Sequence, residues 1–159
     1  MRASGILMPV FSLPSRYGIG SFSKSAYQFV DMLKKAGQKY WQILPLCPTS
    51  YGDSPYQSFS TYAGNPYFID LDQLIEEKLL TRKECQACDF GDDPQDIDYG
   101  KLYENRFKLL RKAYERANVG EDQEFEAYRR ENAWWLDDYG LFMAVKDIFD
   151  GNSWDQWAE

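Results

Sequence analysis

The first part of the chain alternates between short apolar segments and one amphipathic segment. The segments 5–11 and 40–46 are short and apolar, which is typical of strands. Pro45 lies near the end of the second segment and cannot donate a hydrogen bond to a sheet, so this strand should stop there. Between them, apolar residues recur at helical spacing from Ser21 to Lys35, and Gly37 follows as a helix stop. The apolar face consists of Phe22, Ala26, Phe29, Val30 and Leu33. The pattern predicts a strand, a helix and a second, buried strand.

A strand, helix and strand in this order close into two parallel strands joined by a helical crossover. The segments that follow the strands, Ser12–Gly20 and Cys47–Pro66, then leave the same edge of the sheet. In parallel α/β folds, ligands bind at the carboxyl ends of the strands. We therefore expect a ligand site where these two segments meet.

The rest of the chain is predicted to be mainly helical. Leu71–Lys78 places apolar residues on one side of a helix, and Thr81 with Glu84 has the form of a capping box. Residues 89–98 carry five aspartates, and they lack the alternating ligand spacing of a calcium loop, which favours a solvated loop. From Lys101 to Gly151 the pattern is helical throughout.

Two helical stripes account for many of the aromatic residues. One lies on a helix from about Tyr99 to Ala117 and the other on a helix from about Asn132 to Phe149. We interpret both stripes as core or helix-packing residues. Their members are Tyr103, Phe107, Leu110 and Tyr114 on the first helix, and Trp135, Leu136, Tyr139, Phe142 and Met143 on the second.

Residues 51–70, here called the aromatic loop, contain aromatic residues that no periodicity explains. The segment holds six aromatic residues together with two glycines and two prolines, which forbid a regular element over most of it. Each tyrosine offers an apolar ring with a hydroxyl at its edge. Sugars present C–H faces and hydroxyl groups that match this chemistry, so the loop predicts a carbohydrate contact.

Composition and charge narrow the function further. The chain has 159 residues, of which 44% are hydrophobic and 27% charged, as in an ordinary globular domain. Its 18 basic and 25 acidic residues give a net charge of -7, which argues against a nucleic-acid partner. Apolar runs are too short for a membrane helix, and Pro9 interrupts the only apolar run near the N-terminus, so we expect no membrane partner and a cytoplasmic protein.

The few cysteines and the absence of histidine argue against zinc sites, redox sites and histidine-dependent catalytic relays. Cys85 and Cys88 form a C-x-x-C, but with no second pair and no histidine a zinc site is not expected, and a redox role is a weak alternative. Three free thiols favour a reducing compartment. Without histidine, neither a Ser-His-Asp nor a Cys-His relay exists in the chain. Paired carboxylates remain, but the sequence selects no pair.

Four motifs occur in order along the chain. They are Ser12-Leu13-Pro14-Ser15 with Tyr17-Gly18-Ile19-Gly20, Tyr40-Trp41-Gln42-Ile43-Leu44-Pro45-Leu46, Tyr51-Gly52-Asp53-Ser54-Pro55-Tyr56-Gln57-Ser58, and Ala63-Gly64-Asn65-Pro66-Tyr67. Together they resemble the N-terminal part of the 4-alpha-glucanotransferases, also called amylomaltases or disproportionating enzymes. A looser similarity runs from Asn132 to the Trp154–Trp157 region. The resemblance covers essentially the whole chain.

The resemblance implies an α/β fold, the N-terminal part of a (β/α)8 TIM barrel. Residues 1–70 would form the first β-α-β unit and residues 71–159 a mainly helical insertion, so the barrel is incomplete in this chain. The family transfers 1,4-alpha-glucan segments between maltodextrins by a retaining mechanism, without a cofactor. Its catalytic carboxylates come from later strands, so no catalytic residue is assigned here, and we expect the remainder of the barrel in a parent chain.

The resemblance also implies substrate-binding residues in the aromatic loop. Tyr56 matches a tyrosine that stacks on the sugar next to the cleaved bond, and Asp53 and Ser54 match residues on the same donor side. Tyr51 matches a secondary glucan contact, and Asn65 belongs to the fourth motif. A turn in which Asp53 caps Ser54 and Pro55 is an equally good explanation of those residues.

Two other functions stay open. The chain would be a non-catalytic carbohydrate-binding module if it folds alone and uses the aromatic loop. It would be a partner-completed protein if another chain supplies the remaining strands. The leading hypothesis is a truncated N-terminal portion of a 4-alpha-glucanotransferase that binds maltodextrin and is inactive by itself.

Overall fold

A computed structural model describes residues 2–50 and 52–157 of the chain. The chain divides into two compact units, with the boundary between Ala117 and Asn118. The described part of the first unit holds β1 (Gly5–Leu7), α1 (Lys24–Lys35), β2 (Tyr40–Gln42), α2 (Leu71–Glu76), α3 (Arg82–Gln86) and α4 (Tyr99–Ala117), and that of the second holds α5 (Gln123–Ile148).

The β-α-β unit is confirmed. β1 and β2 are parallel, with Gly5 opposite Tyr40. The two strands approach so closely that a Cβ at residue 5 would lie 2.6 Å from the Tyr40 carbonyl oxygen, which explains the glycine at this position. Ser23 caps the N-terminus of α1 by accepting a hydrogen bond from the Ser25 amide, and Gly37, with φ 69°, follows its C-terminus.

The strands are shorter and more exposed than the sequence predicts. β1 ends at Leu7 because Pro9 precedes a 3-10 turn at Val10–Ser12, and β2 ends at Gln42, three residues before Pro45. The prediction of a buried second strand is wrong for this structure, since Tyr40 is exposed. In the described residues β1 and β2 pair only with each other, which leaves the backbone groups on one edge of each strand unpaired.

The predicted apolar face of α1 is only partly covered. Ala26 is buried, and the ring of Phe29 packs edge-on against Trp41 with 5.1 Å between centroids. Phe22 and Val30 are exposed. The helix therefore covers one side of β2 with part of the face that the pattern predicts.

The core of the first unit lies beside the sheet, among helices and the segment after β1. Its members come from the 3-10 turn and the Ser12–Gly20 segment, from α1, from the end of the aromatic loop, from α2 and α3 with their connection, from Phe90 and from α4. They include Val10, Leu13, Tyr17, Ile19, Leu71, Leu80, Cys85, Leu102, Leu109 and Ala113. The segment after β1 is thus held by apolar packing, which fixes one side of the expected ligand site.

The aromatic stripe predicted for α4 is not its buried face. The helix bounds agree with the prediction, but Leu102, Arg106, Leu109 and Ala113 are the buried residues, whereas Tyr103, Phe107 and Tyr114 are exposed. Both stripes have helical spacing, and the pattern favoured the aromatic one because an arginine interrupts the other. The stripe is therefore not the core face of α4, but Leu110 packs against the core and Phe107 packs on Tyr67, as the helix-packing interpretation expects.

The predicted capping box of α3 is confirmed and is tied to α4. Thr81 Oγ1 accepts from the Glu84 amide, and Glu84 Oε2 accepts from the Thr81 amide, at 3.2 and 3.0 Å. Arg116 donates from Nη1 and Nη2 to the two carboxylate oxygens of Glu84 and from Nη1 to the Leu79 carbonyl. Bidentate geometry of this kind makes a strong surface ion pair. These bonds lower the pKa of Glu84 well below its usual range, with Arg116 as the largest cause.

Removing the Glu84 carboxylate should make stability less dependent on pH in acid. Because the folded-state pKa is lowered, this carboxylate stabilises the fold above its unfolded pKa near 4.5, and the contribution is lost as pH falls through the lower folded value. We expect Glu84→Gln to lower the melting temperature at pH 7 and to match the wild type in strong acid. Melts followed by circular dichroism from pH 7 to pH 2 measure the difference, and a constant gap over that range would contradict the assignment.

The second unit consists of a long helix and the turns that flank it. The prediction of continuous helix from Lys101 to Gly151 is wrong at Asn118, which has φ 48° and precedes a 3-10 turn at Val119–Glu121. Asp122 then caps α5 by accepting hydrogen bonds from the amides of Glu124 and Phe125. The stripe predicted on α5 is half-buried, and Phe142 and Phe149 both pack on Trp157.

No helix in residues 2–50 and 52–157 combines the length and the apolar character needed to cross a membrane.

Candidate functional site

The aromatic loop is closed by backbone hydrogen bonds. The amide of Asn65 donates to the carbonyl of Leu46, just after β2, over 2.8 Å. Further out, the Ser50 amide donates to the Gln57 carbonyl over 3.1 Å. Gly52, with φ 90°, and Asp53, with φ 55°, make the sharp turn between these two residues. The chain therefore closes on itself twice, once near the end of β2 and once further out, between Ser50 and Gln57.

The segments that follow β1 and β2 meet, as the parallel arrangement predicts. They line a small cavity of about 10 Å³, which is the space of roughly one water molecule. Its walls come from the segment after β1, from the chain after β2 and from the start of α4, and they include Phe11, Ile19, Cys47, Asp53, Asn65, Phe68 and Tyr99. A sugar would therefore lie over this point and not inside it.

Asp53 is a half-buried carboxylate that lines the cavity together with Tyr99. Burial raises the pKa of Asp53 above its usual value. Burial first, and the Asp53 charge second, raise the pKa of Tyr67 to about 12 and also raise the pKa of Tyr99. Asp53 thus offers hydrogen-bond acceptors at the cavity, and carboxylate oxygens of this kind suit sugar hydroxyl groups.

Ser54 and Tyr56 lie on the outer turn of the loop. Ser54 Oγ accepts from the Tyr56 amide at 3.3 Å, and the Ser54 carbonyl accepts from the Gln57 amide at 3.1 Å. Ser54 therefore fills the turn role, whereas no such hydrogen bond is recorded for the Asp53 side chain among the described residues. Tyr56 is 72% exposed, so its ring face is open to a ligand.

Asn65 fixes the base of the loop. It is 8% exposed, and its Oδ1 accepts from the Tyr67 amide at 3.0 Å, which caps the 3-10 turn at Pro66–Phe68. It lines the cavity together with Asp53. Tyr51, the remaining predicted site residue, lies outside the described residues.

Tyr99 is a residue of this site that the sequence does not signal, because its local pattern predicts only a helix. The ring of Tyr67, in the aromatic loop, lies 6.2 Å from that of Tyr99 and 5.6 Å from that of Phe107. The tertiary fold brings Tyr99 to the loop although it lies 32 residues beyond Tyr67 in the chain, and nothing in the local pattern signals this approach.

The cysteines and acidic residues do not form a metal site in the described part of the chain. No group of three or more metal-ligating side chains occurs among the described residues. Cys85 is buried in α3, and burial raises the pKa of both Cys85 and Cys88. A raised pKa opposes thiolate formation, which is the reverse of what a reactive redox cysteine needs.

The chain is similar to known enzymes over its whole length. The family model described as 4-alpha-glucanotransferase matches residues 8–159. A 4-alpha-glucanotransferase from Clostridium butyricum is 55% identical over 94% of this chain, and one from Thermus thermophilus is 46% identical over 98%. An amylomaltase from Streptococcus agalactiae, solved in complex with acarbose, matches all of this chain at 42% identity with a TM-score of 0.92.

These matches also show how much of such an enzyme the chain represents. It spans 31% of the length of the Clostridium and Thermus proteins and 32% of the Streptococcus chain. The four motifs, the parallel β-α-β unit and the structural match agree with one another. The chain belongs to the 4-alpha-glucanotransferase family.

Proposed function

We propose that the chain forms the N-terminal part of a 4-alpha-glucanotransferase and supplies a maltodextrin contact to it. The observation that supports this most is the position of the aromatic loop. It lies at the carboxyl ends of two parallel strands, within a fold that matches an amylomaltase whose structure contains acarbose. No cofactor enters this function.

In this proposal β1, α1 and β2 are the first unit of a (β/α)8 TIM barrel. The single pairing of β1 and β2 supports it, because each strand inside a barrel has neighbours on both edges. Their exposed side chains support it as well, because the strands of parallel sheets are buried on both faces. The assignment of residues 1–70 to the barrel and 71–159 to a mainly helical insertion stays a prediction, as does a cytoplasmic location. The remainder of the barrel would come from the parent chain.

The proposed sugar contacts divide between stacking and hydrogen bonding. Tyr56 is accessible enough to stack on a glucose ring, while Asp53 and Asn65 offer polar groups at the cavity. Ser54 lies between them on the turn, with its hydroxyl already engaged by the Tyr56 amide. Tyr51 is proposed as a secondary glucan contact on the basis of its motif.

The chain alone is expected to be inactive on maltotriose. Retaining transfer needs two carboxylates about 5 to 5.5 Å apart, one as nucleophile and one as acid and base. The family supplies them from strands beyond those found here. After incubation of the purified chain with maltotriose, chromatography should show neither glucose nor longer oligomers. Either product would contradict this assignment, provided that a preparation of the Tyr56→Ala variant treated in the same way stays free of it.

A non-catalytic carbohydrate-binding module is the second candidate. The presence of an apolar core in the first unit favours it, since the unit would then hold its loop in place without further strands. Maltodextrin-dependent quenching of Trp41 fluorescence, weakened by Tyr56→Ala, would support binding by this unit alone. The intact mass of the native protein separates the two candidates, because an enzyme of this family has a mass several times that of this chain.

A further inference from the structure

An arginine is buried in the core of the first unit. Arg106 lies on α4 and is 1% exposed, at a position where the flanking turns contribute Leu102 and Leu109. Arginine is rarely buried without a specific partner, because removing its charge from water is costly. Burial lowers the pKa of Arg106 to about 10, and the Asp70 carboxylate is the largest opposing influence. Burying this side chain therefore costs free energy that some contact must offset.

The partners of Arg106 are backbone carbonyls from two different segments. Its Nη1 donates to the carbonyl of Tyr17 at 3.4 Å, in the segment after β1. Its Nη2 donates to the carbonyl of Ile69, at the end of the aromatic loop. The salt bridges found among the described residues do not include Arg106, and its Nε has no hydrogen-bond partner there.

Both segments line the candidate site. The segment after β1 contributes Ile19, two residues from Tyr17, and the aromatic loop contributes Asn65 and Phe68 just before Ile69. On the loop side, Arg106 also lies close enough to Tyr67 to lower the pKa of that phenol, opposing the effect of Asp53. The guanidinium thus lies behind the two walls of the site and contacts both.

We propose that Arg106 is a positioning residue, which holds the segment after β1 and the aromatic loop in register so that the sugar contacts of the loop are preorganised. The preorganisation of sugar contacts rests on the proposed function, whereas the positioning of the two segments does not. The fork of a guanidinium suits the task, because two donors at fixed spacing can bond two carbonyls at once. A lysine ammonium is a single point of attachment, so Arg106→Lys keeps the charge and gives up the bridge.

Amide hydrogen exchange on the full chain tests the positioning directly. Reporters are the Gly20 amide, bonded to the Phe11 carbonyl, and the Ile69 amide, bonded to the Pro66 carbonyl. In Arg106→Lys and Arg106→Met we expect both to exchange about tenfold faster, since one charge-assisted hydrogen bond to each segment is weakened or lost. The Met8 amide, bonded to Gln42 in the sheet, should keep its rate.

Arg116→Lys is the matched control. Arg116 lies on the same helix and also donates hydrogen bonds from both nitrogens of its guanidinium. Its partners are Leu79 and Glu84, which belong to neither of the two segments. It should lower the melting temperature without selective exchange at Gly20 and Ile69. Equal acceleration at all reporters in the Arg106 variants, or no acceleration, would overturn the proposal. If Arg106→Met does not fold, Arg106→Lys decides alone.

Acarbose binding separates this inference from the proposed function. If the wild-type chain binds acarbose, the Arg106 variants should bind about tenfold more weakly at a temperature where they and Arg116→Lys are equally folded. Equal affinities for all three would overturn the preorganising role. If the wild-type chain does not bind acarbose, the proposed sugar contact fails, while hydrogen exchange still decides whether Arg106 positions the two segments.

Discussion

Replacing Leu102 by alanine is expected to lower the free energy of unfolding of the first unit by about 2 to 5 kcal/mol. Leu102 is 0% exposed and lies in the first turns of α4, in the core that holds the segment after β1. Its Cδ2 is 3.3 Å from the place that a Cβ on Gly18 would occupy. Truncation would remove apolar contacts and leave a cavity that the backbone of this segment cannot readily fill.

The measurement is urea unfolding followed by circular dichroism. Leu141→Ala is the matched control, because it makes the same chemical change on a long helix where the side chain is 66% exposed. We expect this control to change the free energy of unfolding by less than about 0.5 kcal/mol. Similar losses for both variants would show that the core does not lie where the structure places it.

Replacing Tyr56 by alanine is expected to weaken maltodextrin binding about tenfold. The Tyr56 ring is 72% exposed, and the hydrogen bonds that the described residues make in its turn involve the backbone and the Ser54 hydroxyl, not the phenol. Covering about 50 Å² of the ring at about 25 cal/mol per Å² gives about 1.3 kcal/mol, which corresponds to a factor of about ten. The side chain carries little of the fold, so the melting temperature should stay within about 2 °C of the wild type.

Tyr27→Ala provides the comparison for this variant. Tyr27 is 73% exposed and lies on α1, outside the aromatic loop. Titration calorimetry with maltoheptaose should give the same dissociation constant for Tyr27→Ala and wild type. If the two alanine variants bind equally, Tyr56 does not stack on the sugar, whatever the affinity of the wild-type chain.

Local signals predicted the parts of the fold that neighbouring residues determine. The helix predicted over Ser21–Lys35 and found at Lys24–Lys35, the capping box of α3 and the bounds of α4 follow from spacing and capping chemistry within a few residues. The parallel pairing of β1 and β2 follows from chain order and the handedness of crossovers. These features do not depend on what packs against them.

The sequence did not predict features that depend on distant contacts. On α4, the aromatic stripe looked apolar and the buried stripe contained an arginine, but Arg106 finds two carbonyls that only the tertiary fold brings together. The break at Asn118 was missed because a single left-handed residue leaves the apolar periodicity on both sides intact.

Parts of the candidate site could also be predicted from the sequence, whereas other parts required the structure. Composition alone pointed to the aromatic loop, because glycine and proline rule out a regular element there. The resemblance, and not the composition, selected Asp53, Ser54, Tyr56 and Asn65 within it. The meeting of Asp53 and Tyr99 at one cavity required the structure, because Tyr99 lies on a helix 46 positions further along the chain.

The most direct test of the sugar contact is nuclear magnetic resonance of the labelled chain during titration with maltoheptaose. We expect the shift changes to concentrate on the amides of residues 52–66, with smaller changes in the segment after β1, and to saturate with a single affinity. Shift changes confined to residues outside these two segments, or none at millimolar sugar in a folded sample, would contradict this expectation.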